Sequence, residues 1–209
     1  MRPDHPLAGL WRYPVKGLLG EALDTATFGE RGVDGDRGWA VVGTDGKLGS
    51  GKTTRRFRRM PGLFTMAART VGDDVVVTGE DWEGSVRDPA TAAFVSEIVG
   101  EAVTLQPATA IPVRVHDEGP VHVLTTAELS GHDVRRFRPN VLLEGDLRLE
   151  PGALIDLGDV VLRTTHAMPR CVMTTLAQPS HGIGFDPSLA RIAQLGMVAE
   201  VIRMGTLHV

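Results

Sequence analysis

The feature that most constrains the fold of this chain is a series of short β-prone segments, each closed by a turn signal. Residues 7–13 form one such segment and end at Pro14, and residues 39–42 are followed by the turn Thr44-Asp45-Gly46. The 25 glycines and 13 prolines supply many more turn positions. Close strand spacing of this kind predicts a mainly β protein with a few short helices, in a curled or closed β structure.

Three segments carry helix start signals. Asp88 can cap a helix that begins at Pro89 and ends at Gly100. Residues 186–187 repeat the Asp-Pro pair, and apolar residues at 189, 192 and 195 predict a buried helical face that ends at Gly196. Residues 125–128 have the pattern of a capping box. These helices are expected to pack outside the β structure.

Charge and composition exclude several classes of protein. The formal net charge is −4, so no overall positive field would attract nucleic acid. No apolar run approaches the roughly 20 residues of a membrane span. The N-terminal residues lack the apolar core of a signal peptide, and we therefore expect a cytoplasmic protein that binds neither nucleic acid nor membrane.

Cys171 is the only cysteine, so it cannot form an internal disulfide. It follows Pro169 and Arg170 and precedes residues that are expected to form a short strand. A neighbouring guanidinium favours the thiolate, which is the form that acts as a nucleophile and as a soft metal ligand. Two alternatives remain at this point: a small apolar residue in the core, or a hydrolase dyad with His166 or His181.

Residues 46–53 match the phosphate-loop pattern GxxxxGK[ST]. A nucleotide-binding loop of this type follows a buried parallel strand and opens a long helix. Here Asp45-Gly46 is typical of a hairpin turn, and Pro61-Gly62 follows too soon for a long helix. We therefore expect a hairpin connection without a helix at Lys52, and a basic stretch at 55–59 that faces solvent or an anionic ligand.

Three stretches together resemble the MOSC family: residues 13–17 (Tyr-Pro-Val-Lys-Gly), 136–141 and 170–175. The family is named for the C-terminal domain of molybdenum cofactor sulfurase and includes amidoxime-reducing components and reductases of N-hydroxylated bases. Residues 36–39 (Asp-Arg-Gly-Trp) resemble its N-terminal β-barrel part. The resemblance implies a MOSC N-terminal β-barrel-like subdomain at 1–105, a MOSC domain at 106–209 and a molybdopterin-bound molybdenum cofactor.

The resemblance also implies the residues of the site. Cys171 would be the molybdenum ligand and the catalytic residue, and the positions expected to bind the cofactor are Lys16, Arg37, Thr125, Thr126, Arg138, Asn140 and Arg170. Two features depart from the family: Gly17 stands where many members have serine, and the chain ends at Val209, where relatives continue with another strand. One cysteine cannot hold an iron–sulfur cluster, so electrons would come from separate proteins.

The function implied by the resemblance is a molybdenum-dependent oxidoreductase that reduces small N-hydroxylated compounds. Two alternatives from other classes stand beside it: a module that binds or carries the cofactor without turnover, and a nucleotide-binding protein that uses residues 46–53. Bound metal together with activity would support the oxidoreductase, and bound metal without activity would support the carrier module. Saturable ATP binding that is lost in Lys52→Ala would support the nucleotide-binding protein.

Overall fold

The computed structural model of this chain describes residues 5–209. Its first part contains β1 (Leu7–Arg12), β2 (Val15–Lys16), β3 (Glu21–Leu23), β4 (Thr25–Gly29), β5 (Gly32–Val33), β6 (Trp39–Gly43), β7 (Leu48–Ser50), β8 (Phe57–Arg59), β9 (Ala67–Val71), β10 (Asp74–Gly79), β11 (Trp82–Ser85), helix α1 (Pro89–Val99) and β12 (Val103–Pro107). Its second part contains β13 (Val121–Thr125), β14 (Val141–Leu143), β15 (Leu154–Asp156), β16 (Val161–Pro169), β17 (Gln194–Arg203) and β18 (Gly205–His208). The prediction of a mainly β protein is confirmed.

The largest sheet has seven strands and takes them from both predicted halves of the chain. Its order is β15-β16-β17-β13-β14-β1-β3, so the early strands β1 and β3 complete a sheet made of late strands. The strand β13 lies inside this sheet and is buried at every position. A second link joins β18 to β4, with Gly205 opposite Phe28 and His208 opposite Thr25. The sheets therefore cross the predicted boundary at residue 105.

The rest of the first half forms two further sheets. Strands β12, β6, β7 and β8 lie side by side, and the short strand β2 pairs in parallel with β6. Strands β11, β10 and β9 form an antiparallel meander against which α1 packs. Because side chains alternate between the faces of a strand, each sheet places one apolar row in a core. One core lies under the seven-stranded sheet, and another is shared by α1 and the sheets of the first half.

Of the predicted helices, only α1 is an α-helix. Its Asp88 cap accepts a hydrogen bond from the backbone N–H of Ala90 at 2.8 Å, and Gly100 ends it with a φ of 76°. The expected helix up to Gly196 is wrong: a 3-10 turn (Pro187–Arg191) is followed at once by β17. Pairing of β17 with both β13 and β16 overrides the local helical spacing of the apolar residues.

Two other expectations about local structure need correction. Sequence alone predicts a strand over residues 63–68, but these residues begin with a 3-10 turn (Leu63–Thr65) before β9. It also predicts that the strand at residues 197–204 is the last, but β18 follows it and pairs with β4. Across residues 5–209, the longest helix falls well short of the length and apolar character that a membrane span requires.

Candidate active site

A cleft at the edge of the seven-stranded sheet brings together residues that are far apart in the sequence. Six segments form it: the end of β2, the turn before β6, the loop after β7, the loop before β13 with the start of that strand, the turn before β14, and the end of β16 with the turn after it. Six of the eight residues that the sequence singled out line this cleft: Lys16, Arg37, Arg138, Asn140, Arg170 and Cys171. The neighbouring cleft residues that the sequence did not single out include Asp117, His122, Arg136 and Met173.

Thr125 and Thr126 lie away from this cleft, contrary to the expectation for them. Thr125 is buried, and both its backbone N–H and its hydroxyl bond to Glu128 Oε2, at 2.9 and 3.1 Å. Thr126 Oγ1 accepts a hydrogen bond from the N–H of Gly145 at 2.9 Å. The capping-box pattern is therefore correct, and these hydroxyls close the turn after β13, where they do not line the cleft.

Cys171 is a free, half-buried thiol just beyond the end of β16. Pro169 ends the strand because it has no N–H for the ladder, and the N–H of Arg170 still bonds to the carbonyl of Ala193 at 2.8 Å. The expected strand after Cys171 is wrong, because residues Val172–Thr175 form a 3-10 turn. The Thr174 hydroxyl donates to the Cys171 carbonyl at 3.0 Å, a local bond of the kind that competes with strand pairing.

Arg170 supports the cysteine turn from inside the protein. Its guanidinium donates to the carbonyl of Phe137 at 2.9 Å, to Nε2 of His122 at 2.6 Å and to the carbonyl of Leu195. Burial lowers the pKa of Arg170 to about 10. Its Nε atom is buried and has no partner among the described protein atoms, so this N–H is not used within the described part of the protein.

His122 was missed by the sequence analysis, although it lies in the centre of β13. A guanidinium can only donate hydrogen bonds, so Nε2 of His122 accepts the bond from Arg170. Because an accepting ring nitrogen carries no proton, the imidazole is neutral and its proton is on Nδ1. Nδ1 faces the carbonyl of Arg138 at 3.4 Å. Burial lowers the pKa of His122 well below its ordinary value, and the charge of Arg170 is the second contribution in the same direction. The ring thus acts as a neutral support for Arg170.

Lys16 and Asp117 form an ion pair at the other end of the cleft, with Nζ 2.8 Å from Oδ2. Burial lowers the pKa of Lys16 to about 8, although Asp117 opposes this change. Burial alone would raise the pKa of Asp117, but Lys16, with Lys52 and Arg37, lowers it below its ordinary value. Oδ1 of Asp117 is buried and has no partner among the described protein atoms. It can therefore accept a hydrogen bond from a ligand.

Arg37 and Arg138 share an unusual backbone conformation. Their φ angles are 50° and 53°, in the left-handed region that residues other than glycine rarely adopt. Such a conformation costs on the order of 1–3 kcal/mol and persists only where the surroundings fix it. Here both guanidinium groups lie against the ring of Tyr13, with Cζ atoms 5.2 and 4.2 Å from its centroid.

Each of these arginines has a further fixed contact. Arg37 pairs with the buried carboxylate of Asp36, which also accepts a bond from the N–H of Tyr13 at 2.8 Å. Arg138 donates to the carbonyl of Leu18 at 2.7 Å, and burial lowers its pKa to about 10. Both side chains keep further N–H groups that can face an anion in the cleft.

Asn140 is buried at the base of the cleft, and most of its amide is already used. Oδ1 accepts from the N–H of His122 at 3.1 Å, and Nδ2 donates to the carbonyl of Trp11 at 3.3 Å. The residue thereby joins β13 to β1. Of the hydrogen bonds that this side chain can make, one N–H remains for a ligand.

Arg136 was also not among the predicted site residues, although it belongs to the motif at 136–141. Its guanidinium is buried and donates to the carbonyls of Thr174, Leu176 and Gly184, at 3.3, 3.4 and 2.6 Å. It therefore holds the segment that follows Cys171 against the turn before β14. The signal for this role was available in the motif, but only the fold shows which carbonyls it reaches.

The phosphate-loop pattern at 46–53 lies in a hairpin, as expected. The turn at Gly46 joins the antiparallel strands β6 and β7, and no helix begins at Lys52 within the described residues 5–209. Lys52 lines the cleft, whereas Arg56 donates to the carbonyls of Arg114, His116 and Asp117. The helix N-terminus that a phosphate loop needs is missing from this hairpin.

The two histidines considered as dyad partners for Cys171 do not line the cleft. His166 and His181 both lie outside its lining, and Nδ1 of His181 contacts Arg135 at 2.8 Å. Among residues 5–209, no group of three or more His, Cys, Asp or Glu side chains is arranged to hold a metal ion. The cleft thus combines one thiol with several buried cations and two unpaired hydrogen-bonding atoms.

A protein family, a mitochondrial protein and a solved bacterial structure are similar to this chain. Residues 5–105 match the MOSC N-terminal beta barrel domain. The chain is 26% identical over 225 aligned residues to mitochondrial amidoxime reducing component 2 of Bos taurus, covering 83% of this chain and 67% of that protein. The crystal structure of the YUAD protein from Bacillus subtilis shares the fold, with a TM-score of 0.51 and 14% identity over 98% of this chain and 91% of that chain.

Proposed function

Because this chain belongs to the MOSC-domain family, we propose that it is a molybdenum-cofactor-dependent oxidoreductase that reduces N-hydroxylated compounds. The substrate's N–O bond would break with two electrons from a separate electron-transfer protein and two protons from solvent. One proton would join the departing hydroxyl to form water, and the other would end on the nitrogen. We further propose that the protein acts in the cytoplasm.

The observation that supports this proposal best is that a lone thiol and buried cations from both halves of the chain line one cleft. Sulfur is a soft donor that suits a soft, sulfur-rich metal centre. Lys16, Arg37 and Arg138 provide positive charge for a phosphate group, and arginine can bind phosphate through two parallel bonds. Arg170 Nε and Asp117 Oδ1 offer one donor and one acceptor, and a pterin carries groups that match both kinds. The residues present therefore fit a molybdopterin cofactor.

Each residue has a role in this proposal. Cys171 would hold the metal, while Lys16, Arg37 and Arg138 bind the anionic end of the cofactor and Asn140 lies at the base of the cleft. Arg136, Arg170 and His122 fix the turn that carries Cys171. When bound, the cofactor would supply two-electron redox chemistry. The protein would bind and orient the cofactor and the substrate, and it would exclude competing reactions.

Metal analysis and turnover together test the proposal against its alternatives. Protein purified from a host that makes the cofactor should contain about one molybdenum per chain and should reduce benzamidoxime with an artificial electron donor. Bound molybdenum without turnover of any N-hydroxylated compound would instead support a carrier module. Metal-free protein that binds ATP, with binding lost in Lys52→Ala, would contradict the proposal and support a nucleotide-binding function.

The proposed anion site should lose affinity in mildly alkaline solution. Lys16 has a pKa of about 8 in the protein, so it is charged below that pH and neutral above it. A bound anion favours the charged form, so anion affinity must fall as the pH rises through 8. With sulfate, whose charge is constant in this range, we expect the Kd to rise about tenfold between pH 7 and pH 9.

The matched control for this prediction is Lys16→Arg, measured by calorimetry under the same conditions. Arginine stays protonated far above neutral pH, so sulfate binding should depend little on pH in this variant. A wild-type Kd that stays constant from pH 7 to pH 9 would show that Lys16 does not contribute its charge to the anion site.

A further inference from the structure

Two apolar side chains are exposed to solvent beside the cleft. Phe185 is the most exposed of the large apolar residues in the described part of the chain, at 65%, and Val172, directly after Cys171, is 50% exposed. The N–H of Asp186 donates to the carbonyl of Thr175 at 2.9 Å, so the segment that carries Phe185 adjoins the 3-10 turn that carries Val172. The proposed cofactor site uses neither side chain, so their exposure needs a separate explanation.

A basic segment of the chain lies against the same turn. Residues 51–59 contain five lysine and arginine residues and no acidic residue. A methyl group added at Gly51 would lie only 2.7 Å from Cγ of Met173 and 2.9 Å from Cδ1 of Leu176, so this segment and the turn are in close contact. The basic stretch that the sequence analysis left between solvent and an anionic ligand therefore borders the exposed apolar side chains.

Several cations of this surface face solvent without an ionic partner. Arg56 and Arg58 are used within the protein, by backbone carbonyls and by two carboxylates respectively. A further cation, Arg191, is exposed at the end of a 3-10 turn that packs against the turn after Cys171. Within residues 5–209, four cations of this surface are not paired with a carboxylate: Lys52, Arg55, Arg59 and Arg191.

The surface beside Cys171 is therefore positive, although the whole chain has a formal net charge of −4. The nearby carboxylates Asp186 and Glu118 offset only part of this charge. Exposed apolar groups with a polar rim mark interaction sites, and aromatic residues and arginine are enriched in protein interfaces. Charge complementarity then requires a partner with an acidic surface.

We infer that an acidic electron-transfer protein binds here, on a docking surface that consists of Lys52, Arg55, Arg59, Val172, Phe185 and Arg191. The inference rests on the proposed reductase function, in which the electrons come from a separate protein because one cysteine cannot hold an iron–sulfur cluster. A carrier bound at this surface covers the residue next to the proposed metal ligand. A one-electron carrier must bind twice in each turnover, and two protons from solvent complete the reduction.

Turnover of benzamidoxime by the cofactor-loaded protein tests this inference when two electron donors are compared. One donor is a plant-type two-iron ferredoxin, which is acidic, and the other is reduced methyl viologen, which is too small to need a docking surface. In Phe185→Ser, kcat/KM for ferredoxin should fall about 30-fold, as is typical when a central aromatic residue is removed from an interface. With methyl viologen, this variant should keep the wild-type turnover.

The charged part of the docking surface has its own test. In Arg55→Glu, kcat/KM for ferredoxin should fall about tenfold, because a cation that attracts the acidic partner becomes an anion that repels it. In the wild type, the same quantity should fall at least about tenfold between about 20 mM and about 500 mM NaCl, since salt screens exposed charges. Turnover with methyl viologen should change little in both cases.

Two matched variants change the same kinds of residue away from the docking surface. Met204→Ser removes an apolar side chain that is 59% exposed, and Arg148→Glu reverses an exposed charge. Met204 follows β17 and Arg148 precedes β15, and both strands pair there with the start of β16, at the opposite end of that strand from Cys171. Both variants should keep the wild-type kcat/KM for ferredoxin.

Calorimetry with oxidised ferredoxin separates this inference from the proposed function, because it does not require turnover. Affinity that falls in Phe185→Ser and Arg55→Glu, but not in Met204→Ser and Arg148→Glu, supports the docking surface. Equal effects in all four variants would overturn the inference. Turnover with methyl viologen but with neither ferredoxin nor the acidic carrier flavodoxin would also overturn it and leave the reductase function supported. A dimer of the protein alone that is lost in Phe185→Ser would overturn it by assigning the surface to a second copy.

Discussion

Replacing Cys171 with serine is expected to lower molybdenum content and reductase turnover by at least about 100-fold. Loss of groups that merely support a metal ligand typically costs about 10–100-fold, and here the proposed ligand itself is removed. A serine hydroxyl is a hard donor that is barely acidic, so it replaces a thiolate poorly at a soft metal. The measurements are molybdenum per chain and turnover of benzamidoxime with an artificial electron donor.

The same variant should keep its fold, because serine is close to cysteine in size and Cys171 is only half buried. We expect the free energy of unfolding in urea to change by no more than about 1 kcal/mol. Sulfate affinity, which depends on Lys16 and its neighbours, should also stay near the wild-type value. A Cys171→Ser protein with full metal content and full turnover would show that the thiol has no part in the chemistry.

The second large effect is expected from Arg136→Met, a change that keeps an unbranched stem and removes the guanidinium group. Three backbone carbonyls, of Thr174, Leu176 and Gly184, would lose their donor in the interior. Unpaired buried groups of this kind cost on the order of 3 kcal/mol in total. We also expect the amides of residues 172–184 to exchange faster with solvent, and metal retention to fall, because the turn carrying Cys171 loses its anchor.

Arg135→Met is the matched control. Arg135 is adjacent in sequence, but its side chain is 38% exposed and pairs with Asp133 at the surface. Exposed ion pairs contribute only about 0–1 kcal/mol, so this variant should be nearly as stable as the wild type. Equal losses of stability in Arg135→Met and Arg136→Met would contradict the anchoring role of Arg136.

Local structure was predictable wherever local chemistry decides it. Helix α1 begins and ends as its Asp88-Pro89 and Gly100 signals indicate, because capping bonds form between residues that are close in sequence. The segment up to Gly196 shows the opposite case. Its apolar residues have helical spacing, but β17 pairs with strands that come from other parts of the chain, and sequence periodicity carries no information about such partners.

The site was predictable to a similar extent. Motifs near residues 16, 37, 138 and 170 identified positions that the fold brings to one cleft. Asp117, His122 and Arg136 were missed because their importance lies in contacts with Lys16, with Arg170 and with the carbonyls after Cys171, all of which depend on the fold. Thr125 and Thr126 lie outside the cleft because their hydroxyls are used in local hydrogen bonds of the turn after β13.

The exchange of strands between the two halves has a consequence for synthesis of the protein. The β1 strand leaves the ribosome early, but it finds its partner β14 only when residues 141–143 have been made, more than 130 positions later. Strands that are far apart in the sequence pair slowly, because the ends of the long segment between them must first come together at a cost in entropy. The cleft therefore assembles only after translation has passed β16 and Cys171. Loading of the proposed cofactor would then follow synthesis of most of the chain, and fragments cut near residue 105 should form the complete cleft only when both pieces are present together.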